Sequence, residues 1–189
     1  MKFHLPACLT AMMALAFAAA APAETVSIAP DNAWHAFDVD ELLSTSGGLE
    51  WIGVNDGSAL SFAFTTATDT LLTVVDAGFS GDRFQVFDAG NLLGITSVPV
   101  QSLTSVGLNF DTALGNSNYS FATYLLSAGT HSITGVLSQS ALDEFGSPLN
   151  ATVGGLRLAP VPLPGALLMF LSGGGLLGCL RRRNASVSA

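Results

Sequence analysis

Between its ends the chain has no cysteine and almost no positive charge. Its two cysteines, Cys8 and Cys179, both lie in apolar terminal segments, so residues 24–160 hold neither a disulfide nor a thiolate metal site. Stability there must come from a packed core, which about 137 residues can supply. Lysine occurs once, at Lys2. Only Arg83 and Arg157 stand in 24–160 against all fourteen acidic residues, which leaves that segment at a formal −12. Such a field repels nucleic acid and anionic lipid. It suits solubility outside the cell, the preferred reading, and its natural exceptions are a divalent ion or a cationic polymer.

Catalytic motifs are missing as well. There is no Gly-x-Ser-x-Gly elbow, no His-Glu-x-x-His, no phosphate loop and no cysteine pair for zinc. Of the three histidines, His4 falls in the leader, while His35 and His131 sit in expected strands with no nucleophile motif accompanying them, and read as strand residues. A carboxylate pair for glycoside hydrolysis has no sequence signature, because its spacing belongs to the fold. An extracellular polysaccharide hydrolase therefore stays as the alternative to a non-enzymatic role. Neither a sustained helical period nor an internal repeat is found.

What is present is clearest at the two ends. The N-terminus has Lys2, an apolar run from Ala7 to Ala20, and the small residues Ala21-Pro22-Ala23, the pattern of a cleaved signal peptide over residues 1–23. A retained anchor is the other reading, but about 14 apolar residues give a helix of roughly 21 Å against a hydrocarbon core of about 30 Å. Signal peptidase and the general secretory machinery are the partners this implies, with cleavage before Glu24. Residues 161–189 open with Val161-Pro162-Leu163-Pro164 and continue through an apolar segment to Leu180, interrupted by Gly173-Gly174-Gly175. They end in Arg181-Arg182-Arg183 and a short tail. A helix over Gly165 to Leu180 is a marginal membrane span, and the arginines after it act as a membrane stop that leaves the tail cytoplasmic and 24–160 outside.

Motif, helix and basic cluster in that order resemble the PEP-CTERM class of bacterial sorting signals, in the variant that opens Val-Pro-Leu-Pro-Ala; here Gly165 stands where Ala is usual. The resemblance covers about the last 30 residues. It implies recognition by an exosortase in a Gram-negative envelope, an inner-membrane-anchored precursor, and delivery to the cell surface or an exopolysaccharide matrix. A Gram-positive sortase signal fits poorly, because Leu163-Pro164-Gly165-Ala166-Leu167 lacks the Thr-Gly pair, and a GPI signal would end without the arginines.

The segment 24–160 reads as one all-β domain, a β-sandwich or jelly-roll-like fold. Short alternating runs such as Leu60-Ser61-Phe62-Ala63-Phe64 are separated by turn formers such as Asn55-Asp56-Gly57, Asp88-Ala89-Gly90-Asn91 and Gly115-Asn116-Ser117-Asn118. Strands are expected at Thr25 to Ile28, Ala33 to Val39, Glu50 to Val54, Ala59 to Thr65, Thr70 to Asp76, Arg83 to Phe87, Leu92 to Thr96, Phe121 to Leu126, His131 to Leu137 and Ala151 to Leu158. Single helical turns are expected at Glu41-Leu42-Leu43 and Ser140 to Phe145, and an irregular loop with a weak strand over Thr104 to Gly115. The expected aromatic core is Trp34, Trp51, Phe62, Phe64, Phe84, Phe87 and Phe121. The two tryptophans would be sugar-stacking platforms only if exposed.

Leu72-Thr73-Val74-Val75-Asp76, Ser80 to Asp88 and Gly129 to Thr134 resemble small secreted β-sandwich proteins of bacteria and fungi, a set that brings no activity with it. The stretch Asp82 to Asp88 is also similar to CUB domains, in which acidic residues on neighbouring loops can bind calcium. Asp76, Asp82 and Asp88 are evenly spaced around a Gly-rich loop, so one strand end is expected to gather them as oxygen ligands for calcium. The preferred reading of Asp76 and Asp88 is plainer: they end strands and start turns through side-chain to backbone bonds. Asp38-Val39-Asp40-Glu41 lacks the pattern of an EF-hand loop and reads as a solvated turn. The functional expectation is a surface or matrix protein with a structural or adhesive role, with carbohydrate or calcium as its candidate ligands.

Overall fold

Side-chain alternation decides the architecture. In the computed structural model, which describes residues 23–161, Leu60, Phe62, Phe64 and Thr66 point inward from one strand while Ser61, Ala63 and Thr65 point out. Eleven strands and one short helix form among the described residues. They are β1 (Glu24–Ser27), β2 (Trp34–Asp40), β3 (Leu60–Thr66), β4 (Thr70–Asp76), β5 (Phe79–Ser80), β6 (Arg83–Asp88), β7 (Asn91–Ile95), β8 (Ser102–Ser105), α1 (Phe110–Leu114), β9 (Phe121–Leu126), β10 (Gly129–Gln139) and β11 (Ala151–Pro160). The leader through Ala21, the motif residues Pro162 to Pro164, the apolar segment after them and Arg181 to Arg183 lie outside the described residues. Ala23 and Val161 lie within them, both exposed. No helix among the described residues is long and apolar enough to cross a membrane.

Two sheets stack, one in the order β1-β3-β10-β6-β7 and the other β2-β11-β4-β9, with β5 and β8 forming a small third. The all-β sandwich expected from the sequence is what forms. Pairing is antiparallel except for β1 on β3. The register sorts the strand ends into two poles. Asp40 pairs with Ala151, Gly154 with Asp76, Val75 with Phe121 and Gln139 with Arg83, which puts these termini and the loops between them at one pole. Pro160 pairs with Thr70 and Gly129 with Thr66 at the other.

The core between the sheets is built on rings. Trp51 and Phe37 stack at 3.9 Å, and Phe84 meets both edge-on, with Phe62, Leu72, Val74, Ile133, Leu156 and Leu158 around them. A smaller cluster lies outside the second sheet, where Phe110 and Ala113 of α1 cover Val75 with Ala77 and Tyr119. This second layer explains why β4 is apolar on both faces.

Several expectations need correction. Glu50 to Val54 is no strand: it makes isolated bridges to both sheets, Glu50 to Val136 and Ile52 to Asp38, and so crosses the seam between them. Ser140 to Phe145 forms no helical turn, since Leu142 bridges to Pro148 instead. The loop expected over Thr104 to Gly115 contains α1, capped by Asn109 Oδ1 accepting from Thr112 N at 3.0 Å. Asp38 to Asp40 close β2 and are not a turn, although Asp40 Oδ1 does accept from Leu42 N and Leu43 N of the single turn expected at Glu41-Leu42-Leu43. Phe121 is 40% exposed rather than core, because on edge strand β9 its parity faces outward with Thr123 and Leu125. Trp34 and Phe87 are half-buried, and Phe37, Phe110 and Tyr119 are core residues that were not anticipated.

Candidate functional site

The loop pole holds two buried carboxyl groups. Asp76 ends β4, and the chain then reverses through β5 and Gly81, whose φ of 142° suits glycine, to bring back Asp82 just before β6. Asp76 is wholly buried and Asp82 is 1% exposed. Asp82 Oδ1 accepts from Ala141 N at 2.7 Å, tying the 140–150 loop to this turn. No side chain pairs with Asp76, whose oxygens are faced only by backbone N–H groups without a hydrogen bond of full geometry, and Asp82 Oδ2 and Thr152 Oγ1 on β11 likewise make none. Burial pushes the Asp76 carboxyl up to about 9, helped by the negative charge of Asp82 and opposed by the backbone N–H groups of Asp82, Gly81 and Ala77. Burial likewise raises Asp82 to about 6, against the Thr152 hydroxyl and the Ala141 N–H.

The third aspartate of the expected trio is elsewhere. Asp88 ends β6 at the opposite pole, where its Oδ2 meets His131 Nδ1 at 2.7 Å and its Oδ1 accepts from Ser132 N at 3.0 Å. One strand end therefore gathers Asp76 and Asp82 without Asp88. No group of three or more His, Cys, Asp or Glu side chains is placed to hold a metal among the described residues. Thr152, which sequence did not single out, stands beside the pair. Asp38, half-buried on β2, has its carboxyl pushed up by burial and by Asp40.

The exposed part of the loop pole is apolar at its tips and acidic around them. Phe145 is 84% exposed, Leu42 94% and Leu43 64%. Phe145 is nevertheless braced by its turn. Asp143 Oδ1 accepts from Phe145 N and Ser147 N, both at 2.8 Å, and Gly146 takes the positive φ of 80° that closes the turn. Beneath it Gln101 pins the loop, donating from Nε2 to Gly81 O and Ser140 O while its Oε1 accepts from Leu142 N at 3.0 Å. A cleft of about 410 Å³ lies alongside, lined by Leu103, Leu142, Asp143 and Glu144 among others. Neither tryptophan is a free platform: Trp51 is wholly buried, and Trp34 is covered by Phe110 and by the Arg157 guanidinium, 4.5 Å from its ring centre.

No family model matches this chain, and no curated protein matches it. Among solved structures it is similar to the pre-peptidase C-terminal domain of collagenase from Bacillus anthracis, at 11% identity over 73% of this chain and 97% of that one, with a TM-score of 0.39. It is also similar to the C-terminal CBM6 of LamC, a marine laminarinase from Zobellia galactanivorans, at 18% identity over 67% of this chain and 100% of that one, with a TM-score of 0.29. Similarity at that distance carries nothing about function.

His131 has both of its ring nitrogens engaged. Its Nε2 lies 2.9 Å from Ser127 O and its Nδ1 faces Asp88, so both ring nitrogens meet acceptors and both are best satisfied as donors. Burial alone would lower its pKa, but the Asp88 bond, the Ser127 carbonyl and the Asp88 charge outweigh burial and hold it above the usual histidine range. The stability from this pair is thus fully present below the ordinary histidine pKa and is lost as pH rises through the elevated one. We expect the thermal midpoint to fall at mildly alkaline pH by an amount worth about 1 kcal/mol. In His131→Gln that fall is expected to vanish, and an unchanged alkaline profile in this variant would refute the assignment.

Proposed function

We propose that the chain is an exported protein, sorted through its carboxy-terminal signal and an exosortase to the cell surface or extracellular matrix of a Gram-negative bacterium, where its sandwich domain adheres to exopolysaccharide. The observation that carries this reading is the two-pole layout. The domain's last strand ends at Pro160, paired with Thr70 at one pole, whereas Phe145, Leu42 and Leu43 project from the other. A chain tethered or trimmed beyond Val161 would present these loops away from its attachment. An exposed ring on a braced tip, beside a cleft with carboxylates, is the chemistry that stacks on a sugar face and accepts hydrogen bonds from its hydroxyls.

Two measurements test the reading. Mass spectrometry of the C-terminal peptide, from membrane and extracellular fractions, is expected to find a mature chain ending near Pro162 or Pro164 without the arginine cluster. An intact chain confined to the inner membrane would remove the sorting proposal. Affinity electrophoresis in the producing cell's exopolysaccharide is expected to show retardation that Phe145→Ala weakens roughly tenfold, the loss of one stacking contact of about 1–1.5 kcal/mol. With 84% of Phe145 exposed, the melting temperature should not move, and unchanged retardation would exclude this loop as the contact.

A further inference from the structure

We propose that Asp76, Asp82 and Thr152 form a divalent-cation site beneath the loop pole, and that the ion is calcium. Four side-chain oxygens there, both of Asp76, Oδ2 of Asp82 and Oγ1 of Thr152, are buried and make no hydrogen bond of full geometry, although the N–H groups of Asp82, Gly81 and Ala77 face Asp76 and the Thr152 hydroxyl faces Asp82. Buried polar atoms are normally bonded, and a carboxylate left without a partner is among the costliest groups a small domain can enclose. The Thr152 hydroxyl faces the Asp82 carboxyl and opposes the rise of its pKa, which sets a third oxygen-bearing side chain beside the pair.

Among the described residues no basic side chain neutralises the pair. Arg83 sends its Nε to Thr96 O at 2.7 Å, Arg157 lies over Trp34 and against Asp111, and His131 belongs to Asp88 at the far pole. Two enclosed carboxyls are then neutralised either by a proton, as the raised Asp76 pKa allows, or by a cation from outside the chain. An all-oxygen donor set, without imidazole or thiolate, selects a hard cation over zinc or copper. Calcium, which accepts irregular coordination completed by backbone carbonyls, suits loop-borne ligands better than magnesium, which demands an octahedron. An ion here would join the end of β4, the turn into β6 and the start of β11. Through Ala141 N on Asp82 it would also fix the base of the loop that carries Phe145. This site is independent of the carbohydrate reading and is tested without any sugar.

The test uses the full chain, purified in detergent and stripped with a chelator. Metal analysis after calcium loading and dialysis is expected to find one ion per chain. Calcium at about a hundred times Kd should raise the melting temperature by roughly 5–10 °C. Magnesium should do so only at much higher concentration. Asp88→Asn should keep the full shift, and Thr152→Val, which removes one ligand and no carboxylate, should weaken calcium binding about tenfold. Terbium in place of calcium gives a second readout, because Tyr119 lies close enough to feel the Asp76 charge and should sensitise its emission. Asp76→Asn and Asp82→Asn should abolish the shift; if they do not fold, the metal count and Thr152→Val still decide. No bound ion and no shift at saturating calcium would overturn the proposal and leave the two carboxyls sharing a proton.

Discussion

Trp51→Ala is expected to destabilise the domain by about 3–5 kcal/mol and to lower its melting temperature by roughly 10–20 °C. The indole is wholly buried and stacks on Phe37 at 3.9 Å, with Phe84 and Phe62 edge-on to it. Its segment belongs to neither sheet. Trp51 N donates to Gly135 O at 2.9 Å in the first sheet, and Ile52 N donates to Asp38 O at 2.8 Å in the second. Truncation therefore opens a void where the two sheets are joined by backbone, and neither sheet can close it without breaking one of those bonds. The indole Nε1 has no partner, so the loss is one of packing alone. Trp51→Phe should consequently recover much of the stability. Urea unfolding measures both variants, and a loss below about 2 kcal/mol for Trp51→Ala would show that this seam is not where the core is held.

Most of the strands that were readable share a residue alternation set by burial on a single face; β4, covered on both, is the exception. The bounds of β4 and β9 coincide with those expected, while β2, β3, β6 and β10 differ by one or a few residues at their ends. Trp51 was legible as core, but its segment was not legible as a crossing, because bridges to two sheets leave the same apolar pattern as a strand. α1 was hidden because five residues are too few to show a helical period.

The aspartate trio failed for a reason of length. Asp82 and Asp88 are six residues apart along an extended strand, which separates them by about 20 Å. Asp76 and Asp82, with the same spacing, are reunited by the reversal through β5 and Gly81. Even spacing in sequence predicted a shared face and could not tell a turn from a strand. Thr152 had no signal at all, since only the pairing of β11 with β4 brings it near. Phe145 did have one, a lone aromatic inside the polar turn Asp143-Glu144-Phe145-Gly146, and it was read as the end of a helical turn.

Gly154→Ala is expected to cost about 3 kcal/mol, at or above the usual limit for one added methyl group. Gly154 lies on β11 between β2 and β4, opposite Phe37 and Asp76, with ordinary strand dihedrals, so alanine brings no backbone strain. The cost is steric, because a Cβ there would enter the Phe37 ring. Phe37 cannot retreat, since its other face is stacked on Trp51, and Trp51 in turn covers Gly135 of the opposite sheet, where a Cβ would enter the indole. The two rings thus fill the space between two glycines, one from each sheet, and the sheet separation is set by that sequence of contacts. Gly135→Ala should therefore be about as harmful as Gly154→Ala. Shortening the ring should relieve the clash, so Gly154→Ala combined with Phe37→Leu is expected to lose less than the two single losses added together, with a coupling of 1 kcal/mol or more. Near-additive losses would mean that the rings repack independently and that the glycines do not define the distance between the sheets.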